Sequence, residues 1–237
     1  LRCIRATKPD HMVGIPLAHW VSRFFRRSFK SIRGRILIRS NQFSKETLSA
    51  PAGKNSDPVN VSPKELAAIV FTDIVGFTKL SAGNEPAALA LLEKQRELLK
   101  PIVKTHGGSW LKEIGDGLLL SFETTKDAVD CAIEIQQVVK EVDNLNLRIG
   151  IHQGEVVFQG NDVIGDDVNI AARIEPFAAP GGIAISGRVN ASLERDPDFE
   201  THYLGQPQLK GVSQTVKAYC ITSHGLPKTD MSKVNAK

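Results

Sequence analysis

The chain carries its apolar side chains in an ordered series of blocks from residue 65 onward. Residues 66–71 form a continuous apolar run, which is typical of a strand buried on both faces. Residues 86–106 repeat Leu and Val at helical spacing, and Pro86 suits the first turn of a helix. Residues 125–142 repeat apolar residues with the same period. The pattern therefore predicts one buried strand followed by two long helices.

Shorter apolar blocks lie between and after these helices. Residues 110–114 and 118–122 flank a Gly-Asp-Gly turn, which predicts a β-hairpin. We expect a third helix over residues 167–177 and a short one near residues 189–193. Further strands are predicted at residues 145–151, 155–158, 183–185 and 216–221 and around Tyr203. Because strands and helices alternate but hairpins also occur, the prediction is an α/β (α+β) fold, with a mixed sheet flanked by helices.

The first 60 residues differ in charge from the rest of the chain. They hold 12 basic and three acidic residues, a net charge of +9, so the overall +4 leaves −5 for residues 61–237. Residues 16–39 interleave aromatic and aliphatic side chains with Arg and Lys. Two interpretations stay open for this segment: a basic amphipathic helix that lies on an anionic membrane surface, and a poorly ordered basic leader. Residues 40–63 are rich in Ser, Asn, Pro, Gly and Lys and are predicted to form a linker.

We therefore divide the chain into a basic N-terminal extension and linker at residues 1–60, a globular domain at 61–224 and a C-terminal tail at 225–237. The 41% apolar and 24% charged residues suit a folded rather than a disordered protein. No apolar run approaches the ~18 residues of a transmembrane helix. The three cysteines lack the spacing of a disulfide framework or a zinc ribbon, which favours a reducing, cytoplasmic location. A cytoplasmic protein that associates with a membrane through residues 16–39 also stays open.

Two aspartates near predicted strand ends are candidates for cation binding. Asp73 follows the buried run, and Asp116 lies in the hairpin turn. If the turn lies beside the strand end, the two carboxylates can hold Mg²⁺, and the backbone N–H groups after Asp73 can face phosphate. The alternatives stay open at this point: Asp73 as the cap of the next helix, and Asp116 as an ordinary turn residue.

Three more polar residues stand where they could contact a substrate. Lys112 precedes the hairpin turn, and it is either an exposed strand lysine or a hydrogen-bond donor to a base. Asn169 and Arg173 are four residues apart on one helical face, either as a solvated pair or as part of a site. The unclustered histidines are interpreted as structural or exposed: His106, His152 and His202.

In combination these segments resemble a known family. FTDIVGFT at residues 71–78, KEIGDG at 112–117 and DVIGDDVNIAAR at 162–173 occur in order, and PGGIAIS and LKGV follow them. Together they resemble the class III nucleotidyl cyclase catalytic domain, of the bacterial homodimeric adenylyl cyclase type, over roughly residues 66–222. The resemblance implies a ferredoxin-like mixed sheet flanked by helices.

The resemblance also implies a reaction, the conversion of ATP to 3′,5′-cyclic AMP and pyrophosphate by in-line attack of the 3′-hydroxyl on the α-phosphorus. Asp73 and Asp116, with the Ile74 carbonyl, match the ligands of two Mg²⁺ or Mn²⁺ ions. Lys112 and Asp162 match the pair that reads the purine. A donor and an acceptor in this arrangement suit adenine, whereas guanine presents its keto and ring N–H groups the other way round.

The remaining matched residues contact the sugar and the phosphates. Asn169 and Arg173 match the residues that orient the ribose and stabilise charge on the α-phosphate, and Lys210 and Arg148 match contacts to the terminal phosphates. The implied substrate contacts also include Phe77 and Thr78. In this family the metal aspartates and the base-reading residues of one site come from different protomers. Because the chain carries both sets, the resemblance predicts a homodimer.

Two other functions stay open on the sequence. One is a guanylyl cyclase, or an enzyme that makes a cyclic dinucleotide on a similar fold. The other is a non-catalytic nucleotide-binding regulatory domain. A nucleic-acid partner is not expected. The basic residues 1–60 lack a recognisable nucleic-acid-binding motif, and residues 61–237, with a net charge of −5, repel phosphate.

Overall fold

The computed structural model of the protein describes residues 63–160 and 162–234. The extension at residues 1–60, with its segment 16–39, lies outside the described residues. The described chain forms one mixed eight-stranded sheet in the order β2-β3-β1-β4-β6-β8-β7, with β5 paired to β4 beside this path. The strands are β1 (Glu65–Ile74), β2 (Ser109–Ile114), β3 (Gly117–Phe122), β4 (Leu147–Gln159), β5 (Asp162–Ile164), β6 (Ile183–Ser186), β7 (Thr201–Gly205) and β8 (Ala218–Ile221).

The two longest helices are the two that the sequence predicts, and each begins at a side-chain cap. Asn84 Oδ1 accepts the Ala87 N–H at 3.1 Å, and Thr124 Oγ1 accepts the Asp127 N–H at 3.1 Å. The helices are α1 (Phe77–Gly83), α2 (Glu85–Thr105), α3 (Thr125–Val139), α4 (Asp166–Ile174), α5 (Gly187–Leu193) and α6 (Met231–Val234), with a 3₁₀ turn at Glu175–Phe177. Over the two described ranges, no helix combines the length and the apolar character needed to cross a bilayer.

Strand β1 lies between β3 and β4 and pairs antiparallel with both. Its side chains alternate between two buried layers, so that Val70 packs in one core cluster and Ile69 in another. The predicted strand buried on both faces is therefore confirmed. The pairing with β4 sets Asp73 opposite Arg148 near the end of the strand. Strand β4 pairs with β1 as far as Ile74 and β3 as far as Thr72, so both neighbours hold the strand up to the residue before Asp73.

Strand β4 is one continuous strand, where the sequence predicts two. Its pairing with β1 runs without a break from Leu147 to Val156. The Glu155 N–H, at the start of the second predicted strand, also donates to Asp167 Oδ2 at 2.8 Å. The polar residues 152–155 interrupt the apolar pattern, but the backbone hydrogen bonds continue through them, so the prediction of two strands was wrong.

The third predicted helix is shorter than expected, and one strand was not predicted. Helix α4 ends at Ile174, and Pro176 lies in the 3₁₀ turn that follows. Because proline has no N–H, Pro176 cannot donate to the carbonyl four residues earlier, which accounts for the end of the α-helical hydrogen bonds at this point. Strand β5 has three residues, too few to produce a recognisable alternation. The fold class itself, a mixed sheet flanked by helices, is confirmed.

The last described residues pack against the rest of the fold. The side chain of Thr229 is buried, donates to the Phe177 carbonyl at 2.9 Å and accepts the Ala179 N–H at 3.2 Å. Met231 packs against the core cluster that contains Ile170. These contacts attach the segment after residue 224 to the 3₁₀ turn. The division into residues 1–60, 61–224 and 225–237 stays a prediction.

Candidate active site

Asp73 and Asp116 come together where the β2–β3 hairpin turn meets the end of β1. The Ile74 N–H donates to Asp116 Oδ2 at 3.1 Å, so the hairpin carboxylate lies directly against the strand that carries Asp73. Gln95, buried on α2, donates to the Asp116 carbonyl at 3.4 Å and supports the turn from the other side. The structure thus has the juxtaposition of hairpin and strand end that the two-carboxylate hypothesis requires.

The hairpin approaches β1 closely because of one glycine. A Cβ atom on Gly117 would lie 2.5 Å from the Thr72 carbonyl oxygen, a distance that no side chain tolerates. Next to it, the Leu118 N–H donates to Thr72 Oγ1 at 3.1 Å. The Gly at this position therefore lets β3 pair tightly with β1 and brings Asp116 to its place.

The two carboxylates affect each other electrostatically. Burial raises the pKa of Asp116 to about 6, and the negative charge of Asp73 adds to this effect. The alternative in which Asp73 caps the next helix is not observed, because the N-cap residue of α1 is Gly76 and makes no side-chain cap. Asp73 instead forms an ion pair with Arg148.

The oxygen atoms of this cluster suit a hard divalent cation that keeps part of its hydration shell. Two carboxylates and the Ile74 carbonyl are oxygen ligands, which Mg²⁺ and Mn²⁺ prefer. Within the described residues, no group of three or more His, Cys, Asp or Glu side chains could form a closed metal cage. A cation at Asp73 and Asp116 would therefore depend on water and on substrate oxygens for its remaining ligands, as Mg²⁺ in phosphoryl-transfer sites does.

Arg148 connects Asp73 to a third carboxylate, Glu175. The Arg148 Nε donates to Glu175 Oε1 at 2.7 Å, and its Nη2 donates to Asp73 Oδ2. Burial opposes the charged guanidinium, but Glu175 and Asp73 outweigh burial and raise the pKa of Arg148. The role of Arg148 as a phosphate contact stays a prediction. The residue does lie beside the metal-ligand candidates.

Glu175 is the residue of this cluster that the sequence prediction missed. It is the C-cap of α4, and its side chain is almost fully buried. Burial raises the pKa of Glu175 to about 7, and the charge of Arg148 opposes the shift. A carboxylate at a helix C-terminus is electrostatically unfavourable unless a cation compensates it. That local conflict was the one signal in the sequence that pointed to a partner for Glu175.

Lys112 on β2 and Asp162 on β5 form a second cluster. The Lys112 Nζ lies 2.9 Å from Asp162 Oδ2, and both side chains are about half exposed. Asp162 Oδ1 also accepts the Val163 N–H at 2.9 Å, which fixes the orientation of the carboxylate. A donor and an acceptor therefore stand side by side at an accessible surface, as a purine-reading pair would require.

Helix α4 and the loop at residues 209–212 form a third cluster. The Arg173 Nε donates to the Lys210 carbonyl at 3.3 Å, so the guanidinium lies against the backbone of this loop. The Lys210 side chain is exposed, and Asn169 lies one helical turn before Arg173 and is half-buried. The structure thus brings the Arg173 side chain to the backbone of Lys210, and the roles of both residues stay predictions.

Phe77 and Thr78 are the first two residues of α1. The side chain of Phe77 packs against the main core cluster, whereas Thr78 is exposed. A contact from Phe77 to phosphate would therefore have to come from its backbone N–H.

The three histidines lie outside these clusters. His106 contacts Glu134 Oε2 at 2.7 Å, and His202 is exposed. His152 is buried, with Nδ1 2.7 Å from Ser186 Oγ and Nε2 3.0 Å from Asp167 Oδ1. Their structural or exposed interpretation agrees with these positions.

Comparison with curated proteins gives relatives named as cyclases. The chain is 34% identical over 161 residues to "Putative adenylate cyclase 3" of Rhizobium meliloti (strain 1021), which is 65% of this chain and 27% of that protein. It is 28% identical over 184 residues to "pH-sensitive adenylate cyclase MT1302" of Mycobacterium tuberculosis, 73% of this chain and 45% of that protein. The chain thus spans less than half the length of these curated relatives.

The chain matches several solved structures over nearly their whole length. An adenylate/guanylate cyclase/hydrolase from Silicibacter pomeroyi is 30% identical with a TM-score of 0.64, covering 70% of this chain and 99% of that one. The adenylyl cyclase CyaB from P. aeruginosa is 25% identical with a TM-score of 0.63, covering 68% and 96%. A guanylate cyclase domain from Catenaria anguillulae in complex with GTP is 26% identical with a TM-score of 0.60, covering 67% and 97%.

The family comparison covers the segment that holds all three clusters. The family model described as "Adenylate and Guanylate cyclase catalytic domain" matches residues 59–223. This range includes the hairpin with Asp116, the strand end with Asp73, the helix with Arg173 and the loop with Lys210. The chain therefore belongs to the family of adenylate and guanylate cyclase catalytic domains.

Proposed function

We propose that the chain is an adenylyl cyclase, which converts ATP to 3′,5′-cyclic AMP and pyrophosphate at sites shared by two copies of the chain. Membership of the family supports the reaction class, and the names of the relatives support ATP as substrate. The observation that carries the choice of ATP is the Lys112–Asp162 pair, with 2.9 Å between Nζ and Oδ2.

The pair favours adenine because of the pattern of donors and acceptors. The Lys112 ammonium donates to the adenine ring nitrogen, and the Asp162 carboxylate accepts from the exocyclic amino group. Guanine presents a ring N–H to the lysine and a keto oxygen to the carboxylate, which leaves both groups without a suitable partner. A polar group left unpaired in a site costs about 1–3 kcal/mol, enough for about 10- to 100-fold discrimination.

The triphosphate would contact the cations of the other two clusters. Arg148 and Lys210 neutralise the terminal phosphates, and Asn169 orients the ribose. Arg173 faces the charge that develops on the α-phosphate, where a planar guanidinium donates two parallel hydrogen bonds. Most of the acceleration in phosphoryl transfer comes from positioning and charge stabilisation, which these residues supply.

Asp73, Asp116 and the Ile74 carbonyl would hold the divalent cations, two for each site. Bound Mg²⁺ or Mn²⁺ would lower the pKa of the attacking 3′-hydroxyl and neutralise phosphate charge. The oxygen donors described above fit these ions. The raised pKa of Asp116 also fits, because a carboxylate pair with unfavourable charge gains when a cation binds.

The presence of both clusters in one chain supports a homodimer. The hydrogen bonds group Asp73, Asp116 and Arg148 around the end of β1, whereas Lys112 and Asp162 lie together on β2 and β5. In the family, one site combines the first cluster of one protomer with the second cluster of its partner. The chain has both clusters, which supports a symmetric dimer with two equivalent sites.

A cyclase assay tests the proposal directly. The purified chain is incubated with ATP or GTP and Mn²⁺ across a range of protein concentrations, and products are separated by chromatography. We expect cyclic AMP and pyrophosphate from ATP, with specific activity that rises with protein concentration as dimers form. Inactive Asp73→Ala protein excludes a contaminating cyclase. A folded dimer without turnover would instead support a regulatory nucleotide-binding domain.

A guanylyl cyclase is the second candidate, favoured by the similarity to a guanylate cyclase domain in complex with GTP. The same assay separates the two. A larger kcat/KM for GTP than for ATP would support the guanylyl cyclase and reject the adenine argument from Lys112 and Asp162.

A further inference from the structure

Arg148 binds the Asp73 carboxylate, which the proposed function assigns to the divalent cation. Its Nη2 donates to Asp73 Oδ2, while the Asp116 carboxylate lies against the neighbouring Ile74 N–H. A guanidinium in this position neutralises Asp73 and repels a second positive charge nearby. Arg148 and a divalent cation therefore oppose each other at the same oxygen.

Glu175 keeps Arg148 in this position. Its Oε1 accepts from Nε, which leaves the Nη side of the guanidinium facing Asp73. The backbone of Glu175 is itself fixed, because it packs on β4 so closely that a Cβ on Gly150 would lie 2.3 Å from the Glu175 nitrogen. Glu175 thus holds the Nε edge of the guanidinium, whereas the Nη edge remains able to change partner.

We propose that Arg148, anchored by Glu175, occupies Asp73 in the nucleotide-free chain, competes there with the divalent cation, and moves to the triphosphate when nucleotide binds. The inference rests on the proposed function, which supplies the metal and phosphate roles of this cluster. Glu175 is the positioning residue, and it touches neither substrate nor metal. The consequence is that metal alone binds weakly, and nucleotide and metal bind cooperatively.

The physical reason is charge balance. Without nucleotide, the positive charge of Arg148 compensates part of the negative charge of Asp73, Asp116 and Glu175. A triphosphate brings about four negative charges, which accommodate the cations and Arg148 together and give the Nη atoms a new bidentate partner. The triphosphate thus draws Arg148 away from Asp73. Binding of nucleotide therefore raises the affinity for the divalent cation, and binding of the cation raises the affinity for nucleotide.

Two binding measurements on the full chain test this without turnover. The first is Mn²⁺ affinity in the absence of nucleotide, from the loss of the free-ion EPR signal. The second is affinity for inorganic tripolyphosphate in EDTA, by calorimetry. For Arg148→Met we expect about tenfold tighter Mn²⁺ binding and about tenfold weaker tripolyphosphate binding. A merely structural role of Arg148 would weaken both.

Removal of Arg148 alone leaves Glu175 buried and uncompensated, which can destabilise the fold. The double variant Arg148→Met/Glu175→Gln avoids this charge. Compared with Glu175→Gln alone, it isolates the effect of the guanidinium, and we expect the same tenfold gain in Mn²⁺ affinity. The carboxamide of Glu175→Gln still accepts from Nε, so this single variant should keep tripolyphosphate affinity within about threefold, whereas Glu175→Ala should lose about tenfold.

Arg188→Met is the matched control. Arg188 also pairs with an aspartate, Asp167, at 3.4 Å, but its second contact is the Gln153 carbonyl, five residues further along β4 than Arg148. We expect both affinities to stay within about twofold of the original chain. Mn²⁺ affinity that is unchanged or weaker in both Arg148 variants, or unchanged tripolyphosphate affinity, overturns the inference. Cyclase activity is measured separately, so this result leaves the proposed function standing.

Discussion

Lys112 and Asp162 lie fifty residues apart in the sequence, and the Lys112 Nζ is 2.9 Å from Asp162 Oδ2 in the fold. Their side chains are 43% and 49% exposed. An ion pair this exposed contributes at most about 1 kcal/mol to stability, so changes at these positions report on recognition rather than on folding. The pair is therefore a suitable place to test the choice of base.

The charge-reversed variant Lys112→Glu/Asp162→Lys should prefer GTP. It keeps an ion pair but exchanges the donor and the acceptor, which matches the guanine keto oxygen and ring N–H. We expect kcat/KM for ATP to fall by about 100-fold and GTP to become the better substrate. Product chromatography with both nucleotides measures this, and thermal denaturation checks that the fold is kept. Unchanged ATP preference would contradict the proposed reading of adenine.

Much of the fold could be predicted because local patterns and tertiary structure agree. The apolar run of β1, the caps of α2 and α3 and the turn of the β2–β3 hairpin all follow from neighbouring residues. The continuity of β4 could not be predicted in this way. It depends on pairing with β1 and on the bond from the Glu155 N–H to Asp167, which come from distant parts of the chain.

The candidate site divides along the same line. Asp73 and Asp116 could be proposed from their strand-end positions, and the resemblance added Lys112 and Asp162. Glu175 could not be proposed, because its role depends on a contact with Arg148 across 27 residues and on burial that the sequence does not display. A residue that acts by holding another residue carries little signal of its own.

Asp116→Asn should abolish activity without loss of stability. The carboxamide oxygen can still accept the Ile74 N–H, but the charge that binds a cation is gone. Because burial and Asp73 raise the pKa of Asp116 to about 6, the ionised carboxylate disfavours the folded state at pH 8. We expect activity to fall at least about 1,000-fold and stability in EDTA to rise by about 1 kcal/mol.

Denaturation at two pH values checks the stability part of this prediction. An acid whose folded pKa is raised costs stability above that pKa and costs nothing once it is protonated in both states. The gain should therefore be present at pH 8 and absent below about pH 4. An Asp116→Asn protein that keeps its cyclase activity would reject the metal role of this residue.

Arg173→Lys should separate the charge of this side chain from its shape. Lysine keeps the positive charge but lacks the planar fork that donates two parallel bonds to the α-phosphate. We expect kcat to fall by about 100-fold with little change in KM, because the interaction strengthens only in the transition state. The exposed Arg195 provides the control, and Arg195→Lys should leave both constants unchanged. A change in KM alone would indicate ground-state binding instead.

His152 should make the fold sensitive to mild acid. Burial lowers the pKa of this histidine, with Arg188 adding to the effect and Asp167 opposing it. Since the folded pKa lies below the unfolded one, the unfolded chain takes up the proton first. The stability from neutral His152 is complete above about pH 6.5 and is lost as pH falls below that value towards the lowered folded pKa.

The comparison variant for this prediction is His152→Gln. Its amide can still contact Ser186 or Asp167, although it does not titrate. We expect the free energy of unfolding to decrease less between pH 7.5 and pH 5.5 in the variant than in the original chain. Equal slopes would show that His152 does not contribute to acid sensitivity.

Complementation between two inactive variants should test the shared site. Asp73→Ala removes a ligand of the metal cluster, and Lys112→Ala/Asp162→Ala removes the base-reading pair, so each homodimer has two defective sites. In a mixed dimer, one site receives both intact clusters and the other receives neither. Random mixing at equal amounts makes about half of the dimers mixed, so about one quarter of the original activity should return. Because a site built within one chain would give no recovery at any ratio, an inactive mixture would reject the homodimer.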